Sequence, residues 1–513
     1  MSMRMTGLAS GMDTEGIINE MMKIQRMKST KIENNITKLE WKQDKWQGLN
    51  SKIYGFYTGS LSKLRMEGSF NIKSATSSNS DKLGVLAGSK VPEGNHTVQV
   101  KSTASAQFVT GAELKLDNDA AYSTKLADLY EEGGLPVGSE IRIKAGNNEE
   151  VVFEVGEDTT IGEFVSSLQK AGLNASFDTV NQRFFISSKE SGLDQAFTIE
   201  ATEGTDLLSK MGLSEITKGV NEEGQVTITA GDNVSLVNPS DAVVVYNGAE
   251  IRSSSNTITA NGLTMTVKGT TASDEVINIG ITKDTEAVYD MVKDFIKSYN
   301  EVLSALNDSY YADSARGYEP LSDEEKNALS DNQIEKWEDK IKDSLLRRDG
   351  TVRSISDAMR NTLNKRVSVG DKFYSLADFG ITSVDYTERG LLHIDGDQDD
   401  VLTAGNEDKL MKAILEDPDA VKEVFTSLTS ELYSTMTDKM KSTPLSSALT
   451  FYNDKEMTKT LARYNEDLVN MEKRLQDVED RYYRQFTAME SMLSQLNSQT
   501  DSVMALFGMY NNG

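Results

Sequence analysis

The chain of 513 residues contains no cysteine and only two histidines, His96 and His393. Without cysteine there is no disulfide framework, no thiolate nucleophile and no cysteine-ligated metal. Two histidines also argue against a histidine-rich metal site. Basic residues are in the minority, 54 against 80 acidic ones, and the net charge is −26. That balance argues against a general nucleic-acid binder or an anionic-membrane binder, because both need basic patches.

Long apolar runs are missing as well. No window approaches ~18 consecutive apolar residues, so no membrane span is predicted. The N-terminus has no apolar core between a basic start and a small-residue cleavage site, which is unlike a conventional signal peptide. The default interpretation is a cytoplasmic protein, and the alternative is export by a machine that needs no cleaved signal. Phosphate-loop, dinucleotide-binding and zinc-protease motifs are absent. We therefore predict no cofactor, and none of these motifs supports an enzyme activity.

The C-terminal stretch has the most regular pattern in the chain. Its apolar residues recur in alternating steps of four and three, the spacing of a coiled-coil seam. The step from Tyr482 to Phe486 is four where three is due, a stutter that locally relaxes a supercoil. No Pro or Gly interrupts residues 455–507, so a helix of roughly 75–80 Å is predicted. The seam residues are Met457, Leu461, Tyr464, Leu468, Met471, Leu475, Val478, Tyr482, Phe486, Met489, Leu493, Leu496, Val503 and Phe507.

A second long amphipathic helix is predicted near the N-terminus, over about 14–66, either continuous or broken once. Ile17 and Met21 belong to its broad apolar face. Neither terminal helix can bury its stripe alone. We expect the two to pack on each other for at least part of their length, antiparallel or in a bundle. The alternative is that each packs on a different partner chain.

Between the terminal helices the period changes twice. Residues 75–283 show strand-like alternation punctuated by Gly and Asn, with one helix opened by the Thr160–Glu163 capping box. Residues 74–80, SATSSNS, are interpreted as a polar loop. From Thr285 the period is helical again, and a Ser322–Glu325 capping box is expected to open a helix that runs through Leu346.

Two short motifs suggest chemistry, and each has a plainer interpretation. The acidic run Asp395–Asp400 begins like a calcium-binding loop, but its sixth and twelfth positions, Asp400 and Asn406, are wrong for one, which favours a solvated acidic turn. Ser60 and Lys63 match the S-x-x-K spacing of acylating enzymes. They fall on an amphipathic helix, where a surface pair is the better interpretation.

Four stretches together resemble the flagellar filament cap family, also called the hook-associated protein 2 family. The C-terminal stretch RYYRQFTAMESMLSQLN, residues 481–497, is the most specific of them. The others are GLASGMD at residues 7–13, TKDT at 282–285 leading to Phe295, and a body segment. That body segment reads LADFGIT at 376–382, then GLLHID at 390–395 and DPDAV at 417–421. Agreement is weakest in about 105–230.

The resemblance implies an α+β multidomain fold: long N- and C-terminal coiled-coil helices, a helical-bundle leg domain and two β-rich head domains inserted between them. The implied domains are 1–45 with 465–513 (stalk), 46–74 with 284–464 (leg), 75–105 with 232–283 (head) and 106–231 (variable head with one helix). It also implies a non-enzymatic ring, often of five copies, at the distal end of a bacterial flagellar filament.

Such a ring would promote folding and polymerisation of exported flagellin. The implied partners are other copies, flagellin, hook–filament junction proteins and a cytoplasmic export chaperone at the C-terminal region, with neither nucleic acid nor membrane. Export would use the flagellar secretion apparatus without a cleaved signal. Our hypothesis is that self-assembly contacts come from one set of apolar residues: Ile17, Met21, Leu468, Leu475, Tyr482, Phe486, Met489, Leu493 and Leu496.

Other functions remain open at this point. The β-rich region 105–230 would carry glycan or mucin binding if the protein were a tip adhesin. A hydrolase carried on a stalk would need clustered carboxylates in a cleft, and no motif supports one. If the resemblance misleads, another tip or tail-fibre protein of a secretion or phage apparatus is the alternative.

Overall fold

A computed structural model describes residues 11–116, 119–130, 134–202, 204–222 and 226–510, with side chains to residue 504. The chain forms two compact units. One contains the residues up to Phe70 together with those from Thr285 onward, and the other contains Asn71–Asp284. The finer division into four domains stays a prediction. Of the helices in the described ranges, none has the length and apolarity to cross a bilayer.

The N-terminal helix is broken once, which is one of the two forms expected from the sequence. The side chain of Asp13 accepts a hydrogen bond from Gly16 N at 2.8 Å and caps the helix, which ends at Thr58 before Gly59. The helices in chain order are α1 (Thr14–Thr58), α2 (Ser60–Leu64), α3 (Ile161–Lys170), α4 (Leu207–Lys210), α5 (Thr285–Tyr311), α6 (Asp323–Asn327), α7 (Asp331–Ser344), α8 (Gly350–Leu363), α9 (Lys409–Glu416), α10 (Pro418–Lys439) and α11 (Asp454–Tyr510).

Both predicted capping boxes are present, but one helix is shorter than expected. Thr160 and Glu163 cap α3 reciprocally, and Ser322 and Glu325 cap α6. The expectation that the second box opens one helix through Leu346 is wrong, because α6 ends at Asn327. Another capping box, in which Ser330 pairs with Gln333, starts α7. Two N-cap signals so close together compete with helix continuation, since each satisfies free backbone N–H groups at a new helix start.

The core of the helical unit lies around α5. Its apolar stripe is fully buried, and the Phe295 ring lies 5.7 Å from the Phe56 ring of α1 and 6.5 Å from the Phe425 ring of α10. Helices α8, α9 and α2 also pack against α5. The body that supports the terminal helices is therefore a closed helical core, complete within one chain.

The strands are more numerous than sequence alternation suggests. In chain order they are β1 (Lys73–Ser77), β2 (Leu83–Ala87), β3 (Gly94–Ser102), β4 (Phe108–Gly111), β5 (Glu140–Ala145), β6 (Val151–Glu154), β7 (Leu173–Asp178), β8 (Arg183–Ser188), β9 (Phe197–Ala201), β10 (Ile216–Val220), β11 (Val226–Ala230), β12 (Val234–Val237), β13 (Ala242–Tyr246), β14 (Ala249–Ser253), β15 (Thr257–Ala260), β16 (Leu263–Val267), β17 (Ile277–Lys283), β18 (Val367–Val369), β19 (Lys372–Tyr374), β20 (Ile381–Thr382) and β21 (His393–Ile394).

The β-rich unit has two separate apolar cores. One is formed by residues within 83–104 and 242–281, between the sheet of order β1-β17-β3-β13-β14 and the sheet β15-β16-β2. The other, within 109–228, is formed by the sheets β11-β10-β9-β5-β6 and β12-β4-β8-β7 with α3. The strand pairs within these sheets are antiparallel.

The interpretation of residues 74–80 as a polar loop is confirmed for 78–80, which form a turn, and is wrong for 74–77. Lys73–Ser77 forms β1 and pairs with β17, with Ala75 opposite Ile281. Its small polar side chains have no apolar alternation, so the strand exists because β17 offers it a row of backbone hydrogen bonds. Tertiary pairing overrides a weak local propensity in such cases.

Candidate assembly interface on the terminal helices

The two terminal helices of the chain, α1 and α11, contact each other, which confirms the expectation that they pack on each other. The contact is anchored near the body. The Trp46 ring of α1 stacks on the Tyr452 ring just before α11, with centroids 5.4 Å apart and planes 8° from parallel. Asn50 accepts a hydrogen bond from Phe451 N at 2.9 Å and donates one to Leu449 O at 3.3 Å. This anchor fixes where α11 starts relative to α1.

The anchor also sets direction and register. Trp46 lies near the C-terminal end of α1 and Tyr452 precedes α11, so α11 can follow α1 only by running back antiparallel to it. At ~1.5 Å per residue in both helices, Ile18 then lies level with about residue 480. Burial raises the pKa of the Tyr452 hydroxyl, and Asp454 raises it further, so this stacked ring stays neutral.

Along α11 the predicted seam is half-buried at every position as far as Leu493. No residue of the seam within α11 reaches full burial, although α1 lies beside it. The half-burial passes through the stutter without interruption. The half-buried seam residues are Met457, Leu461, Tyr464, Leu468, Met471, Leu475, Val478, Tyr482, Phe486, Met489 and Leu493.

On α1 a set of buried and half-buried positions also follows steps of three and four, and its members are Met22, Gln25, Ser29, Ile32, Ile36, Leu39, Gln43 and Trp46. The helix begins with two successive steps of four, from Thr14 to Ile18 and from Ile18 to Met22. This is a stutter in α1 as well. By the register above, it lies level with about residues 476–484, where α11 has its own stutter. Matching irregularities keep both stripes in contact where the supercoil relaxes.

The hypothesis places Ile17 and Met21 in the assembly stripe, and the structure puts them on the outer side of α1. They are 40% and 36% exposed, whereas their neighbours Ile18 and Met22 are buried. Together with Ile24, Ile17 and Met21 form a second apolar stripe in steps of four and three. Sequence reasoning did not separate this outward stripe from the inward one. Only the mixed period of the segment 17–24 hinted at two faces.

Beyond Leu493 the α11 stripe is open to solvent in the single chain. Leu496 is 56% exposed, and Val503 and Met504 are exposed too. The side chain of Phe507, a predicted seam residue, lies outside the described residues. The stripe thus changes from half-buried to exposed between Leu493 and Leu496.

Ion pairs attach the middle of α1 to the helical body. Lys45 contacts Asp343 of α7 at 2.6 Å, Lys42 contacts Asp349 at 3.3 Å, and Lys38 pairs with Glu319. Exposed pairs of this type contribute little stability each. They do mark the face of α1 that the body occupies, whereas the outward stripe lies nearer the N-terminus.

Of the two motifs that suggested chemistry, the acidic run is held in ordinary polar contacts and the Ser60–Lys63 pair is not. Lys293 donates to Asp397 at 2.5 Å and to Asp399 at 2.6 Å. His393 bonds Asp400 through Nδ1 at 2.5 Å and Glu388 through Nε2 at 2.9 Å. Ser60 starts α2, and within the described residues its buried hydroxyl has no partner, so it makes no hydrogen bond to Lys63.

Comparison with known proteins agrees with this architecture. A family model described as flagellar hook-associated protein 2 C-terminus matches residues 239–498, and one described as flagellar hook-associated protein 2 N-terminus matches residues 10–107. Flagellar hook-associated protein 2 of Halalkalibacterium halodurans is 27% identical, over 98% of this chain and 100% of that protein. Its counterpart in Escherichia coli strain K12 is 24% identical, over 98% and 97%.

Among solved structures, the D1-D2-D3 domains of the flagellar cap protein from Escherichia coli are 21% identical, over 77% of this chain and 97% of that one, with a TM-score of 0.49. The described fold defines an α+β protein in which a β-rich unit is inserted into a helical unit, with a terminal-helix seam that is half-buried as far as Leu493. The chain belongs to the flagellar hook-associated protein 2 family. The two family models leave residues 108–238 unmatched.

Proposed function

We propose that this chain caps the distal end of a bacterial flagellar filament, as an oligomeric ring that promotes folding and polymerisation of exported flagellin. The family supports the flagellar location. The observation that carries the assembly role is the α11 seam, which is half-buried to Leu493 and open from Leu496. A stripe that its own chain covers only in part needs side chains from other subunits to complete it.

The same surface suits the other partners of the proposal. The outward stripe of α1 faces away from α11, so a third helix can pack on the pair without displacing either member. Other copies, flagellin and hook–filament junction proteins are candidate sources of that helix. A cytoplasmic chaperone that held the C-terminal region before export would cover the exposed stripe in the same way, and so prevent premature association.

The test is complementation of a strain that lacks the gene. We expect the deletion strain to secrete monomeric flagellin and to make short filaments. The full chain should restore filaments, and the double variant Leu475→Asp, Phe486→Asp should not, while its β-rich unit stays folded. Each new carboxylate falls in the half-buried seam, where burying an unpaired charge is costly.

A matched control introduces the same charges one position away. Gln476 and Gln485 are exposed on α11 and lie next to Leu475 and Phe486. The variant Gln476→Asp, Gln485→Asp should assemble normally. Normal filaments from the seam variant, or equal loss from both variants, would contradict the proposed role of the stripe.

A second candidate function, adhesion to glycan or mucin, is favoured by one surface. The sheet β12-β4-β8-β7 has a cavity of about 700 Å³ on it, lined by Phe108, Phe185, Asn174, Ser176 and Gln169 among others. Phe108 and Phe185 are half exposed, on neighbouring strands β4 and β8. Aromatic faces beside amide and hydroxyl groups offer both stacking and hydrogen bonds to a sugar ring.

This candidate is separable from capping. We expect Phe108→Ala, Phe185→Ala to abolish mucin binding by the purified chain and to leave motility unchanged. Val152→Ala, Val220→Ala, which removes exposed apolar side chains from other strands, should change neither property. Undiminished mucin binding by the phenylalanine variant would exclude this surface as the adhesive site.

A further inference from the structure

A basic cleft lies in the helical unit, on a chain whose net charge is −26. It has a volume of about 350 Å³ and is lined by Arg347, Arg348, Arg353 and Arg360 with Tyr310 and Tyr311. The arginines come from the turn between α7 and α8 and from α8 itself. Among the described residues that line the cleft, Asp357 is the only acidic one. Four guanidinium groups therefore face one carboxylate.

The cleft is held in shape by contacts that leave part of its charge unused. Arg360 donates to Asp357 at 2.7 Å, and Arg347 donates through Nε to Ala312 O at 2.9 Å. Arg353 reaches Asp357 at 3.4 Å. Within the described residues the Arg348 guanidinium makes no hydrogen bond or ion pair. Since Asp357 is already shared between two arginines, the cleft keeps a local positive charge.

A fifth arginine lies beside the cleft. The Arg389 guanidinium is 3.7 Å above the ring of Tyr311, and its backbone carbonyl accepts from Arg360 at 3.3 Å and from Asn307 at 3.4 Å. Stacking on an aromatic face holds a guanidinium without neutralising it. The loop that carries Arg389 is thereby fixed against α5 and α8, and it adds charge at the edge of the cleft.

An independent observation points to a missing acceptor. Ser356, on α8 and in the wall of the cleft, is 4% exposed, and its hydroxyl has no hydrogen-bond partner among the described residues. Buried hydroxyl groups are normally hydrogen-bonded, because an unsatisfied one is costly. The cleft thus combines guanidinium donors with an unused hydroxyl donor. An oxyanion is the ligand chemistry that accepts from all of them.

We propose that this cleft receives acidic side chains from a second copy of the chain. The inference rests on the proposed oligomeric function. Copies that each carry a net charge of −26 repel one another, so contact between copies requires a local site of opposite charge. Arginine suits this task because its planar fork binds a carboxylate through two parallel hydrogen bonds. Each copy also displays exposed acidic runs, such as Asp323–Glu325 of α6.

The first test measures the chemistry of the cleft with the purified full-length chain. The probe is an N-acetylated hexaglutamate peptide, titrated by calorimetry at low and at moderate salt. We expect binding that weakens with salt, because exposed charges are screened. The variant Arg348→Gln, Arg353→Gln should lose at least about tenfold in affinity. Its matched control is Arg142→Gln, Arg252→Gln, which removes equal charge from exposed strand positions and should bind normally.

Ser356→Ala separates a ligand role from a structural one. Removing an unsatisfied buried hydroxyl should leave the unfolding transition unchanged or slightly raised, and yet peptide binding should weaken. Absence of peptide binding by the wild-type chain would overturn the cleft as a carboxylate site, as would equal losses in the control. Tighter binding of inorganic phosphate than of the peptide would overturn the assignment to protein carboxylates.

The second test asks whether another copy supplies the carboxylate. Sedimentation velocity of the full-length chain over a range of concentrations should show self-association that the arginine variant weakens and the hexaglutamate peptide inhibits. The second-copy assignment is overturned if the chain stays monomeric. It is also overturned if neither the arginine substitutions nor the peptide changes the self-association. Neither result depends on filament assembly, so a failure here is distinguishable from a failure of capping in the complementation assay.

Discussion

Helices α5 and α11 have the same kind of apolar stripe and use it differently. On α5 the stripe is buried, and Phe295, Leu303 and Leu306 are completely inaccessible. On α11 the residues of the seam are at most half-buried. The same periodicity thus predicts a helix in both places, but only α5 finds all its partners within the chain. The difference separates a core completed within the chain from a seam that the single chain leaves partly exposed.

The largest expected effect is in the buried core around α5. Phe295→Ala should lower the free energy of unfolding of the helical unit by about 3–5 kcal/mol, because it leaves a cavity between α1, α5 and α10. Urea unfolding with hydrogen exchange on α5 amides measures it. Tyr464→Ala, at a half-buried α11 position, is the matched control and should hardly move the α5 amides. Similar losses from both would mean that the stalk and the body unfold as one.

Next in size is the anchor between the two regions. Asn50→Ala leaves Phe451 N and Leu449 O without their side-chain partner, at a cost of about 1–3 kcal/mol. Amides in the first turns of α11 should then exchange faster, whereas those of α5 should not. Gln47→Ala, at an exposed position of α1, is the control. Unchanged exchange at the start of α11 would show that the ring stack of Trp46 and Tyr452 suffices alone.

A smaller effect, which depends on pH, is expected for the stability of the helical unit at His393. Burial lowers the pKa of His393, but the hydrogen bonds that the imidazolium donates to Asp400 and Glu388 outweigh this effect, and the net pKa is raised. A raised folded-state pKa contributes stability that is complete below the unfolded value of about 6.5 and is lost as pH rises through the folded value. His393→Gln should therefore cost about 1–2 kcal/mol at pH 5.5 and less at pH 9.

Thermal unfolding of the wild type and the His393→Gln variant at both pH values measures this prediction. Exchange of α11 amides should show no matching pH-dependent difference between the two proteins. A cost that is constant with pH would mean that the imidazolium form contributes nothing beyond packing.

The smallest expected effect on stability is at the exposed part of the α11 stripe. Leu496→Ala removes a side chain that is 56% exposed, so isolated-chain stability should change by no more than about 0.5 kcal/mol. Leu493→Ala, one turn earlier and half-buried, should cost more. In the complementation assay the order should reverse, with Leu496→Ala the more harmful if the open stripe meets other subunits. Normal filaments from both would place the subunit contacts elsewhere.

Much of the stalk follows from local pattern. The seam and its stutter can be predicted from sequence, because helix periodicity depends on residues within a few positions of each other, whereas the place of the break at Gly59 could not. The capping boxes at Thr160 and Ser322 are local for the same reason. The length of the helix opened by the second box was mispredicted, since a competing cap at Ser330 was overlooked.

The candidate interface was only partly predictable. Sequence placed Leu468, Leu475, Tyr482 and their neighbours on one stripe of α11, and the structure shows that stripe half covered by α1. It could not say which of two adjacent residues in α1 faces inward, because Ile17 and Ile18 are both apolar. Their role as contacts between subunits remains a prediction.

The sequence by itself determined the amphipathic helices, the absence of cysteine chemistry and the family, since each depends on composition or on residues near one another in the chain. Only the tertiary structure decided that β1 pairs with β17 and that Asn50 holds the start of α11. It alone gathered arginines from a turn and a helix into one cleft and placed Arg389 of a distant loop beside it. Such contacts join residues far apart in sequence, and no local pattern encodes which of them will meet.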